Sequence, residues 1–191
     1  MVNLQTILIE VQNNQAADQL AAEIGKNLDD IFKKELQKAS QQQNEAVLTT
    51  AAIVLAIPGF LNTIAKVTQA FYKKFSRGID LTKQDPKTWY NVLEKFTEKI
   101  DSYIGLPFDS MLKPLIQDSA KRKKVVNLIK GLAIATMAII GGINLDKTIQ
   151  TASVLKGLTG GFFQEISQSI GQKNLPDLVI FAKKAIPTYL S

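Results

Sequence analysis

AVLTTAAIVLAIPGFLNTIA, residues 46–65, runs for 20 residues without an Asp, Glu, Lys or Arg. A second stretch, GLAIATMAIIGGINL at 131–145, is uncharged for 15 residues. Segments this apolar belong either in a bilayer or in a core where other helices surround them. The choice between these two decides the class of the fold.

Some features favour lipid. A spanning helix needs about 20 apolar residues, and residues 46–65 reach that length, although they include Pro58, Asn62 and three Thr. Extending the second stretch back to Val125 gives 21 residues and encloses Asn127 and Lys130. Lys130 lies near enough to the end to snorkel. Both stretches are rich in Ala, Gly and Thr, which let helices pack closely in lipid. A basic block, Lys121-Arg122-Lys123-Lys124, precedes the second stretch and suits anionic headgroups. If both stretches spanned, the basic region between them would be cytoplasmic.

Other features favour a core. Pro58 lacks a backbone donor and its ring clashes with the preceding turn. A helix here is expected to stop or kink near Ile57, giving one helix from about Glu45 to Ile57 and another from about Phe60 to Phe75. Such halves have the length of buried core helices. The other helical patterns are amphipathic and need a partner layer. The expected fold is therefore all-α, a single compact bundle of roughly eight to ten helices with two apolar central helices. Residues 1–44 would form amphipathic N-terminal helices, 45–145 the central part and 146–191 short C-terminal helices. Ile53, Val54, Leu55, Ile57 and Phe60 in the first stretch, and Leu132, Ile134, Met137, Ile139 and Ile140 in the second, are the candidate contacts with a membrane or partner helices.

In plan, amphipathic helices wrapped round apolar ones, the chain resembles pore-forming toxin domains, which hide apolar helices and release them at a bilayer. It departs from that plan because about 65 residues separate the two apolar stretches, whereas in those domains they are adjacent.

Composition narrows the chemistry. The 191 residues suit one domain and can bury a core without disulfides. There is no Cys and no His. Thiol chemistry, thiolate metal sites, Ser-His-Asp and Cys-His catalysis and the usual pH switch are excluded. Net charge is +6, unevenly spread. Residues 1–45 hold four Lys against seven acids, and 73–124 hold twelve Lys or Arg against seven acids. The basic centre faces solvent, anionic lipid or nucleic-acid phosphate. Met1–Val11 lacks a basic n-region and carries Glu10, so no cleaved signal is expected.

Along the chain, the start is ambiguous between helix and a short strand at Ile7-Leu8-Ile9. Asn13–Gln42 then reads as an amphipathic helix with Leu20, Ile24, Leu28, Ile31, Phe32 and Leu36 in one stripe. Gln37–Asn44 reads as its end or a hinge, and Arg77-Gly78 as a later stop. Asp85-Pro86 opens a helix whose stripe is Trp89, Val92, Leu93, Phe96, Ile100 and Tyr103, and Gly105 and Pro107 are expected to end it. Pro114 limits the piece that follows. Asp118-Ser119 should cap a helix that runs to Gly141-Gly142. Asp146 should cap a short helix to Leu155, and 162–170 is amphipathic. Pro176-Asp177 opens a last helix that Pro187 is expected to close.

Catalytic candidates are few. Asp29-Asp30, Glu35, Asp80, Asp85, Glu94, Glu98 and Asp101 fit helix caps and i,i+4 partners of Lys better than a two-carboxylate hydrolase. Gly157, Gly160 and Gly161 lack the Gly-Lys-Ser/Thr ending of a phosphate loop. Trp89 lies on an apolar stripe and reads as core. No cofactor, metal or small-molecule substrate is implied.

The expectation is a non-enzymatic structural or interaction protein with a protein partner or self-association. Its Asn-, Gln-, Lys- and Ile-rich texture suits a phage or AT-rich microbial genome and a cytoplasmic or virion-associated location. The alternatives are a membrane-inserting or pore-forming protein using 46–65 and 125–145, with a membrane location, and a phosphate- or nucleic-acid-binding module. The anionic-surface candidates are Lys121, Arg122, Lys123 and Lys124.

Overall fold

The second apolar stretch continues the basic block in one helix that other helices surround. In the computed structural model, the residues described are 45–76, 87–140, 161–169 and 174–191, with twelve between 15 and 37. They form six α-helices: α1 (Glu45–Ser76), α2 (Lys87–Ile100), α3 (Leu106–Leu112), α4 (Ser119–Ile140), α5 (Phe162–Ser169) and α6 (Leu175–Leu190). A π-helical turn, Asp101–Gly105, joins α2 to α3. No strand occurs among the described residues. The fold is an all-α bundle.

The centre is α4. Thirteen of the fourteen residues from Val125 to Ala138 are buried, Asn127 being the exception. The helix touches α1, α2, the π turn, α3, α5 and α6. It is apolar on every side because it is enclosed on every side. Leu132, Ile134 and Met137 are fully buried, and Ile139 and Ile140 half-buried. The Thr136 hydroxyl donates to the Leu132 carbonyl at 2.8 Å, so its burial leaves no unpaired group.

The expected break at Pro58 does not occur: α1 is one helix of 32 residues with Pro58 inside it. Ile53, Ala56, Ile57, Phe60, Leu61, Ile64 and Val67 are all buried. These positions form one stripe at spacings of three and four, in phase on both sides of the proline. Interrupting the helix would turn half of that stripe out of the core. A mid-helix proline costs about 3 kcal/mol, while each large apolar side chain buried contributes about 1.5–3 kcal/mol. The packing outweighs the lost hydrogen bond several times over. Thr68, fully buried on the same helix, has no hydrogen-bond partner for its hydroxyl among the described residues.

Gly105 and Pro107 do not end the helical path either. The Leu106 N–H donates to the Asp101 carbonyl, five residues back, so the helix widens by one residue and continues into α3. Pro107 follows, where it has no N–H to satisfy. The true stop comes at Leu112, before the turn containing Pro114. Pro187 likewise lies inside α6, which continues to Leu190. In the last turn a proline forfeits one hydrogen bond and little else. Asn174 caps that helix, its side chain accepting from the Asp177 N–H at 3.0 Å.

The described residues between 15 and 37 are all helical; Ile24 is buried and Ile31 half-buried against the core. A Cβ on Gly59 would stand 3.6 Å from Ile31, so the N-terminal helical residues approach α1 at this glycine. The ambiguous start, residues 38–44 of the expected hinge, Arg77-Gly78, Asp85-Pro86, Gly141-Gly142, Asp146–Leu155, Gly157 and Gly160 lie outside the described residues, as do the side chains of Trp89 and Tyr90; Gln37 is helical.

Leu132→Ala should lower unfolding free energy by about 2–5 kcal/mol in urea titrations, because it opens a cavity in α4. Leu55→Ala, at a side chain 65% exposed, should change it by less than about 0.5 kcal/mol.

Candidate functional site

Lys130 lies one turn into the apolar run of α4, and its side chain is 8% exposed. Its side chain does not extend freely into solvent but ends on a half-exposed carboxylate. Its Nζ donates to Asp101 Oδ1 at 2.7 Å, on the π turn. Gly105 makes the approach possible: a Cβ there would stand 2.8 Å from Asp101 Oδ1 and 3.5 Å from Lys130 Cδ. The missing side chain leaves the space that the carboxylate fills. Sequence reasoning read Asp101 as a partner of Lys on its own helix and Gly105 as a stop. Their joint role required knowing which helix faces the π turn.

The basic block divides into two pairs. Arg122 Nε donates to Asp109 Oδ1 on α3 at 2.7 Å, and its guanidinium also reaches the Ile116 carbonyl at 2.9 Å. Lys121 donates to the carbonyls of Leu190 and Ser191 at 3.1 and 2.9 Å, tying α4 to the end of α6. Lys123 and Lys124 point outward and are exposed. Asp118 caps α4, its Oδ1 accepting from the N–H groups of Ala120 (2.8 Å) and Lys121 (3.1 Å). The Lys121 and Ala120 N–H groups hold its carboxyl below the usual carboxylate range. The expected cap at Asp118-Ser119 is present, but two of the four basic side chains are joints between helices.

An open cleft of about 430 Å3 lies between α5 and α6, bordered by Glu165, Asp177, Lys184 and Tyr189 with Ile180 and Phe181 in its wall. The Tyr189 hydroxyl donates to Glu165 at 3.3 Å, and its ring meets Phe162 edge-on at 4.9 Å. Partial burial, then the neighbouring Glu165 carboxylate, pushes the Tyr189 phenol up to about 12. Such a phenol stays protonated at neutral pH, so it serves as a donor rather than a base.

Of the expected contact residues, Ile53, Ile57 and Phe60 face the core, Val54 is half-buried and Leu55 is exposed. Among the acid positions, Glu94 and Glu98 are exposed, and Lys95 and Glu98 form an i,i+3 pair at 3.6 Å. Lys99 reaches across to Asp18 in the N-terminal helical residues. Asp29, Glu35, Asp80 and Asp85 lie outside the described residues. Comparison with protein-family models, with curated proteins and with solved structures finds no match to this chain.

Gly105→Ala should destabilise the fold by about 1–3 kcal/mol, by pushing the Asp101 carboxylate off Lys130. In an Asp101→Ala background the same change should cost less than half as much, because the crowded oxygen is gone. A double-mutant cycle in urea measures this coupling.

Proposed function

We propose that the chain is a non-enzymatic interaction protein that joins a larger assembly, a virion being the one its sequence texture suits, and that its α5–α6 groove binds a second copy of itself. Ile180 carries the reading: it is 53% exposed and stands beside half-buried Phe181 in the wall of an open groove. A lone exposed aliphatic residue is ordinary, but one set in a groove with charged borders has the form of a contact site. Asp177 lies one turn before this apolar pair and Lys184 one turn after it. Two α6 helices crossing antiparallel at Ile180 would pack the Ile180–Phe181 pair of each copy against that of the other, as a two-fold interface requires.

Sedimentation velocity over a wide concentration range tests this. The chain should form a concentration-dependent dimer, and Ile180→Asp should weaken association by roughly tenfold or more. A chain that stays monomeric throughout, or a dimer indifferent to Ile180→Asp, would contradict it.

A second reading has one observation in its favour. Thr50–Ala70 of α1 is 21 residues long and apolar enough to cross a membrane, and half of it is buried in the bundle. On this reading α1 leaves the bundle and enters a bilayer, and the chain then resists carbonate extraction from membranes.

A further inference from the structure

A second surface, away from the α5–α6 groove, combines exposed apolar and basic side chains. Leu106, the first residue of α3, is 69% exposed, and Leu115, in the turn that follows α3, is 37% exposed. Pro107 and Pro114 beside them are exposed as well. Lys113 lies on the same side of α3 as Leu106, seven residues on, and is also exposed. Asp109 stands between them in sequence, three residues after Leu106 and four before Lys113. Its pairing with Arg122 brings the first turn of α4 alongside. The exposed Lys123 and Lys124 open the next turn of the same helix.

Residues 106–124 hold five cations and two carboxylates. Both carboxylates are engaged, Asp109 by Arg122 and Asp118 by the backbone of α4. Lys121 and Arg122 are held by neighbouring helices. Lys113, Lys123 and Lys124 are therefore the cations that this corner presents to solvent.

We propose that the α3–α4 corner docks peripherally on an anionic lipid surface. The three lysines would meet headgroup charge, while Leu106 and Leu115 enter the headgroup–acyl boundary. Lysines alone would serve nucleic-acid phosphate equally well. The exposed leucines and prolines decide between the two, because they fit an acyl boundary and have no partner on a phosphate backbone. Phe108 is the one aromatic residue between 106 and 124, and it is buried, so the corner offers no platform for base stacking.

Flotation of the full chain with phosphatidylcholine vesicles, with and without phosphatidylserine, tests this. Binding should require phosphatidylserine, fall as salt rises and reverse in carbonate, which separates docking from insertion of α1. The triple variant Lys113→Glu, Lys123→Glu, Lys124→Glu should bind roughly a hundredfold more weakly, since each Lys contributes about fivefold at such a surface. Leu106→Ser with Leu115→Ser should lose roughly tenfold on vesicles, one partly buried aliphatic side chain being enough for that, and leave any retention on duplex DNA unchanged. All five side chains are exposed, so circular dichroism should show the native helix content in every variant. Ile180→Asp should bind vesicles like the parent, which keeps this site distinct from the α5–α6 groove. Absent binding, equal binding to neutral vesicles, indifference to the charge reversals, or leucine changes without effect beside strong DNA retention would each overturn the proposal.

Discussion

Helix α4 has no polar face over fourteen residues, and the rest of the bundle follows from having to enclose it. An amphipathic helix needs one neighbour; one that is apolar all round needs several. Here α1, α2, α3, α5 and α6 supply them, with the π turn filling the gap between α2 and α3. The same need keeps α1 unbroken. Its buried stripe covers α4 and α6 only while the residues on both sides of Pro58 stay in helical phase. The cost of the proline is small beside the surface that the continuous helix removes from water.

Four basic side chains among the described residues join helices to one another. Lys99 reaches Asp18, Arg122 reaches Asp109, Lys130 reaches Asp101, and Lys121 reaches the carbonyls at the end of α6. Partly exposed pairs contribute about 0–1 kcal/mol each, far less than the core. They fix which residue of one helix lies against which of the next. Lys130 is the strictest case, because its buried side chain ends on Asp101 and a Cβ on Gly105 would crowd that carboxylate. Among the described residues the large aliphatic side chains left exposed are Leu55 on α1, Ile180 in a groove, and Leu106 and Leu115 near the basic turns of α4.

The fold class was legible in the sequence because helical periodicity is local. The cap at Asp118 was legible for the same reason, since its side chain bonds backbone groups two and three residues away, whereas near Pro176 the helix start was legible but the Asn174 cap was not read. The prolines misled. Pro58, Pro107 and Pro187 each carry a local penalty that reads as a stop, yet each lies inside a helix or at its first turn. The phase of Ile53, Ile57, Phe60 and Ile64 across Pro58 was the available sign that burial overrides the break. The division of the basic block was not legible. Lys121, Arg122, Lys123 and Lys124 are alike as residues, and tertiary neighbours alone separate two joints from two outward cations. The pairing of Asp101 with Lys130 over Gly105 lies beyond local pattern for the same reason, since it spans 29 positions.

Native-state hydrogen exchange tests the central role of α4 most directly. Amides from Leu128 to Ala138 should be the slowest in the molecule and should open only with global unfolding, while those of α3 and the last turn of α6 exchange through local openings. Exchange of the Leu128–Ala138 amides as fast as those of α3 would contradict the account, because it would mean that the bundle can open without uncovering its centre last.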